Sequence, residues 1–184
     1  MTRLEAAWAA CPRTAFLPSS QRRNAARDAP LPIGHGQTNS QPSTVRRMLE
    51  ELDVRPGQRV LDVGSGSGWT TALLAHLVGA SGSVLGLDRV PALVASGGAA
   101  LANMGMPWAA IAAATTGVLG APQLAPFDRI LVSAMAAEIP AELVDQLTPV
   151  GIMVVPARGA LWRVTPGEPP HRLGWYRFVP LVRN

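Results

Sequence analysis

The chain has 184 residues, 48% of them hydrophobic and 15% charged, which fits one globular domain and excludes a disordered chain. Its net charge of +4 comes from 16 basic residues, all arginine and mostly scattered, so no basic stripe marks a nucleic-acid surface. One cysteine, Cys11, excludes an intrachain disulfide, and His35, His76 and His171 lack the spacing of a zinc site.

Leu4 to Cys11 reads as a short helix stopped by Pro12. Arg3 and Glu5 interrupt this N-terminal stretch, which lacks the apolar core of a signal peptide and implies a cytoplasmic protein. Residues 19–42 are rich in Pro, Gly, Ser and Asn and read as an irregular arm. Ser43 is the expected N-cap of a helix running to Leu52, with Val45, Met48, Leu49 and Leu52 on one face. Pro56-Gly57 then turns the chain into a strand, Arg59 to Val63.

That strand runs into Gly64-Ser65-Gly66-Ser67-Gly68-Trp69, and Thr70 to Val78 follows as a helix. A buried strand, a glycine turn and a helix N-terminus make a place where backbone can approach a nucleotide-like ligand. A second strand, Ser83 to Leu87, ends at Asp88, 24 residues after Gly64, about the offset at which such folds bind a ribose through a carboxylate. The spacing is G-x-G-x-G, and Trp69 stands where a dinucleotide fingerprint has its last glycine. A bulky indole there disfavours a pyrophosphate and favours S-adenosylmethionine, which has no phosphate.

Pro91 to Met104 is a predicted helix and Ala109 to Ala113 a strand. No charged side chain occurs between Arg89 and Asp128, but Pro91, Gly97-Gly98, Asn103, Gly105, Pro107 and Gly117 break that stretch too often for a membrane span. A buried helix followed by a buried strand is expected. Phe127 to Val132 is a fourth strand, Pro140 to Leu147 a helix and Gly151 to Pro156 a fifth strand. Trp162–Val164 and Trp175–Leu181 are expected to close the sheet as a C-terminal antiparallel hairpin. The alternation predicts an α/β fold with a mainly parallel sheet and helices on both faces. Residues 1–184 read as one domain, with N-terminal helices and arm over 1–55 and an α/β core over 56–184.

One segment is more specific than any of these. Asp28-Ala29-Pro30-Leu31-Pro32-Ile33-Gly34-His35-Gly36-Gln37-Thr38-Asn39-Ser40-Gln41-Pro42 resembles the signature arm of the protein-L-isoaspartate O-methyltransferases. Supporting matches are Pro12-Arg13, Phe16-Leu17-Pro18, the Leu61–Gly68 loop, Ala125–Val132, Glu138-Ile139-Pro140, Gln146-Leu147 and Phe178-Val179-Pro180-Leu181. The resemblance implies a Rossmann-like S-adenosylmethionine-dependent methyltransferase fold. It also implies methyl transfer to the free α-carboxylate of an L-isoaspartyl residue in a protein or peptide, without a metal.

Carried over position by position, the resemblance places Ser40 beside the reacting groups as the catalytic residue, with Thr38, Asn39 and Gln41 as its neighbours on cofactor or substrate. It gives Asp62, Gly64, Ser65, Gly66, Ser67 and Gly68 the amino-acid end of the cofactor, Asp88 the ribose, and Arg89, Thr116 and Gly117 the remaining cofactor contacts. Where the family usually has Gly-Asp-Gly, this chain has Thr115-Thr116-Gly117, so Thr116 replaces an acid; loss of a charged acceptor costs about 1.5–3 kcal/mol. Asn39 stands where an isoleucine is common, and Ser43 where a histidine is frequent. Two other readings stay open: a same-fold methyltransferase acting on another carboxylate, such as an aspartate of a biosynthetic peptide, and a non-catalytic binding protein with an impaired cofactor site. The oligomeric state is not encoded in any motif.

Overall fold

In a computed structural model, which describes residues 1–182, the first helix, α1 (Arg3–Ala10), opens on a Thr-x-x-Glu box. The Thr2 hydroxyl accepts from the Glu5 amide, and the Glu5 carboxylate accepts from the Thr2 amide. The arm beyond it is less irregular than its composition suggests. Two 3-10 turns, Arg13–Phe16 and Ser19–Asn24, lead to an antiparallel hairpin of β1 (Leu31–Gly34) and β2 (Gln37–Asn39). Its turn holds Gly34, His35 and Gly36 all at positive φ, which the flanking glycines make possible.

Helix α2 (Pro42–Leu52) begins one residue before Ser43, so Ser43 is not its cap. The cap comes from further upstream, where the Asp28 carboxylate accepts from the Ser43 amide at 2.8 Å and from Gln41 Nε2 at 3.0 Å. These bonds, the backbone one first, hold the Asp28 carboxyl below the usual carboxylate range. Val45, Met48, Leu49 and Leu52 are buried on one face, as the periodicity predicts.

Seven further strands form one sheet: β3 (Arg59–Val63), β4 (Ser83–Asp88), β5 (Ala109–Ala113), β6 (Phe127–Val132), β7 (Leu147–Ala157), β8 (Ala160–Val164) and β9 (His171–Trp175). Their order is β5-β4-β3-β6-β7-β8-β9, with every pair from β5 to β7 parallel and the last two antiparallel. Successive residues of β7 face opposite layers. Ile152 and Val154 meet the core with α1, α2 and α3 (Trp69–Val78), whereas Met153 and Val155 meet Leu143 of α5 (Ala141–Val144). Every residue of α3 except His76 is buried, which explains why it is apolar all round.

Three expected elements differ. The predicted helix 140–147 is only the single turn α5, because Pro149 forces Thr148 toward extended backbone and Leu147 already pairs with Phe127. The second hairpin strand is His171–Trp175, not Trp175–Leu181. After Tyr176 the chain leaves the sheet and crosses beneath Met135, whose amide donates to the Val179 carbonyl at 2.7 Å and whose carbonyl accepts from the Leu181 amide at 2.8 Å. The uncharged stretch is not wholly buried: α4 (Pro91–Ala102) buries Leu93, Gly97 and Leu101, and β5 is a half-exposed edge strand. No helix among the described residues is long and apolar enough to cross a membrane.

Strand order reverses between β3 and β6, since the chain runs outward to β5 and returns to the other side of β3. The carboxyl ends of β3 and β6 at that reversal lead into Gly64 and Ser133, and neighbouring β4 ends at Asp88. Such a reversal opens a crevice where ligands bind in α/β sheets.

Candidate active site

The loop between β3 and α3 is held down by β4. The amides of Gly64 and Ser65 donate to the Leu87 carbonyl at 2.8 and 3.0 Å, and the Gly66 amide donates to Asp88 Oδ2 at 2.8 Å. Gly64, Gly66 and Gly68 all have positive φ. Gly68 has a second reason to be glycine: a Cβ there would lie 2.8 Å from Ile111 Cδ1 and 3.0 Å from the Gly97 carbonyl oxygen. The loop therefore rests against α4 through two facing glycines. Trp69 stacks edge-on against Trp8 at 5.1 Å and donates from Nε1 to the Cys11 carbonyl at 3.0 Å.

Three connected clefts line the carboxyl edge of the sheet. The central one, about 480 Å³, is bounded by Thr38, Asn39 and Ser40 of the arm, by Gly64–Ser67, and by Asp88 and Ser133. A second, about 660 Å³, shares Gly64 and Asp88 with it and is walled by Val63, Leu87, Val90, Val118, Leu119 and Leu181. Buried Gln146 sets that wall: its Oε1 accepts from the Ala121 amide and its Nε2 donates to the Leu119 carbonyl, both at 2.8 Å. The third, about 370 Å³, shares Thr38, Ser40, Ser133 and Val179 with the central cleft and opens past Gln41, Arg177 and Phe178. Asp88 thus sits at one junction and Ser40 at the other.

Asp88 is buried, and its two oxygens accept from the amides of Gly66 and Val90 at 2.8 and 2.9 Å. A carboxylate has about four acceptor positions, so it can still receive a pair of hydroxyls. Ser65 Oγ, on the wall of the central cleft, is buried without a hydrogen-bond partner. Asp62 Oδ1, behind the same loop, is likewise buried without one, although buried polar atoms normally have a partner. Ser40 Oγ makes no hydrogen bond to another described residue and borders both junction clefts.

Several expected site residues are placed differently. Asp62 borders none of these clefts; it is fully buried behind the loop, with Oδ2 accepting from the Thr70 and Thr71 hydroxyls at 2.8 and 2.7 Å. Burial, only partly opposed by those bonds, pushes its carboxyl up to about 6. Gly68 packs on α4, as described, and does not line a cleft. Thr116 and Gly117 lie exposed on the turn after β5, while Thr115 borders the second cleft. Arg89 borders that cleft too, and Gln41 the third. Asn39 is buried between arm and loop, where its Nδ2 donates to Ser67 Oγ at 3.0 Å.

Sequence reasoning missed Gln37, which borders two clefts, and the tail residues Arg177, Phe178 and Val179. Gln37 stands beside Thr38 but carries no motif of its own, and the apolar tail reads as an ordinary strand. Among the described residues, no three His, Cys, Asp or Glu side chains converge as a metal site requires.

Comparison with known proteins decides the family. The family model described as Protein-L-isoaspartate(D-aspartate) O-methyltransferase (PCMT) matches residues 2–163. The chain belongs to this family. A protein-L-isoaspartate O-methyltransferase of Aeropyrum pernix is 47% identical over 150 residues, covering 82% of this chain. That alignment spans 58% of the Aeropyrum protein, so the present chain matches little more than half of it. The Methanopyrus kandleri relative of the same name is 41% identical over 93% of this chain and 79% of its own. A crystal structure of a Plasmodium falciparum member, in complex with S-adenosyl-L-homocysteine, superposes with a TM-score of 0.86 at 26% identity, covering 100% of this chain and 92% of that one. The family is one of S-adenosylmethionine-dependent O-methyltransferases, and this chain has the corresponding fold.

Proposed function

We propose that this chain transfers the methyl group of S-adenosylmethionine to the free α-carboxylate of L-isoaspartyl residues in proteins or peptides. The observation that carries this reading is the order of the three clefts, with a carboxylate at one junction and an unpaired serine hydroxyl at the other. Apolar walls from Val63, Leu87, Val118 and Leu119 suit a nucleobase, Asp88 suits a ribose, and the central cleft with Ser65 suits an amino-acid tail. When bound, the cofactor supplies an electrophilic sulfonium methyl.

The protein's own contribution is placement. The acceptor carboxylate is ionised at neutral pH, so no side chain has to remove a proton. Ser40 lies where the substrate cleft meets the cofactor cleft, and its hydroxyl donates to the carboxylate and fixes the direction of the attacking oxygen. Such orientation can contribute up to about 7–11 kcal/mol to a bimolecular step. Phe178 and Val179, both half-buried, supply apolar surface at that junction.

Replacement of Ser40 by alanine tests the reading. The variant is expected to bind S-adenosylhomocysteine within about twofold of wild type while kcat for an isoaspartyl peptide falls about 10²-fold. Unchanged kcat would remove Ser40 from the reaction.

A further inference from the structure

The arm that carries Ser40 is wound round one buried guanidinium. Arg13, 6% exposed, donates from Nε to Asn39 Oδ1 at 2.6 Å and from Nη1 to the carbonyls of Ala25 and Arg27 at 3.2 and 3.0 Å. Its Nη2 donates to the carbonyls of Ala29, Asn39 and Ser40 at 2.9, 3.2 and 2.9 Å. Five N–H groups are thereby engaged with six acceptors, so the whole donor capacity of the side chain is spent inside the arm. The guanidinium also lies over the Trp69 ring, 5.4 Å from its centre, at the first residue of α3.

Asn39 passes this fixation to the cofactor loop. Its Oδ1 is held by Arg13, and its Nδ2 reaches Ser67 Oγ, with Asn39 4% and Ser67 9% exposed. If the loop shifted without the arm, a buried amide and a buried hydroxyl would both lose their partner. That penalty applies in a low-dielectric interior, so the two segments move together.

We propose that Arg13 and Asn39 are positioning residues that couple the glycine loop to the arm, so that occupation of the loop by cofactor orders Ser40, and closure of the arm on substrate tightens cofactor binding in return. The second half follows from the first, because linkage between two binding sites is reciprocal. The proposal rests on the cofactor reading above and not on the identity of the methylated carboxylate.

Amide hydrogen exchange with and without S-adenosylhomocysteine tests it. In the wild type, the ligand is expected to slow exchange in residues 63–68 and also across 37–41 by about fivefold or more. Asn39→Leu and Ser67→Ala each cut the link from one side. For both, S-adenosylhomocysteine is raised until residues 63–68 are fully protected, and protection of the arm is then expected to fall to within about twofold of the unliganded protein. Asn39→Asp restores arm protection, because its carboxylate accepts from Arg13 and from the Ser67 hydroxyl. Thermal melting of each variant establishes that it is folded. Arm protection in Asn39→Leu equal to wild type would overturn the coupling, as would a wild type protected in the loop alone. A wild type protected nowhere would overturn the cofactor reading and the coupling with it. Failure of an isoaspartyl peptide to accept methyl, with the exchange pattern as expected, would remove only the substrate.

Discussion

Asp88 and Gly66, 22 residues apart, are joined by a 2.8 Å hydrogen bond from loop amide to carboxylate oxygen. The same carboxylate accepts from the Val90 amide at 2.9 Å, so one side chain ties the glycine loop to the end of β4 and to the start of α4. Asparagine at this position would turn an NH2 group toward one of the two amides. Asp88→Asn is expected to lose about 1–3 kcal/mol of stability and to weaken S-adenosylhomocysteine at least about tenfold. Calorimetric melting and titration calorimetry measure the two effects, and an unchanged affinity would separate Asp88 from the cofactor.

Asp62 gives the stability a pH dependence of definite sign. Its folded pKa, raised by burial to about 6, lies above the ordinary carboxylate value, so between about pH 4 and 6 the folded state holds more protons than the unfolded one. Stability from this group is therefore fully present at low pH and declines as pH rises through that window. Asp62→Asn removes the titration. Wild-type minus variant stability, from urea unfolding, is expected to fall by about 2–3 kcal/mol from pH 4 to 6.5 and to be flat above. A difference independent of pH would show that Asp62 titrates normally.

Adjacent glycines of α4 are expected to respond in opposite directions. A Cβ on Gly97 would lie 2.9 Å from the Gly66 carbonyl oxygen and 3.1 Å from Ser67 C, whereas one on Gly98 would meet nothing within 4 Å. Gly97→Ala should cost about 1–3 kcal/mol by pushing the loop off the helix. Gly98→Ala should gain about 0.5–1 kcal/mol from helix propensity alone. Melting temperatures of the two single variants measure both.

Cys11 is buried, donates to the Ala72 carbonyl at 3.5 Å, and has its thiol pushed up to about 11 by burial. It should resist a thiol reagent at pH 8 in the folded protein and react stoichiometrically in denaturant. Rapid labelling of the native state would place it in an open segment instead.

The α/β core could be read from the sequence because its signals are local. Val60 to Val63 is a buried strand, three glycines follow at alternate positions, and α2 presents its apolar residues at helical spacing. What could not be read depends on partners distant in sequence. Asp62 reads as a cofactor ligand, whereas in the structure its Oδ2 accepts from the Thr70 and Thr71 hydroxyls and its Oδ1 is buried without a partner. Thr115 and Thr116 differ only in which way the turn after β5 points. The tail from Arg177 has an apolar pattern like a strand, but its pairing is a lone bridge between Met135 and Pro180. Arg13 is legible only as part of the Pro12-Arg13 match; it binds mainly carbonyls, which every residue has, so no pattern of side chains announces its role.

The central claim is methyl transfer to an isoaspartyl carboxylate, and paired peptides test it most directly. One peptide carries L-isoaspartate and the other, otherwise identical, carries normal aspartate; each is incubated with the full chain and S-adenosylmethionine labelled in its methyl group. Base-labile label on the isoaspartyl peptide alone is the predicted result. Label on neither peptide, from a chain that binds S-adenosylhomocysteine, would contradict the claim.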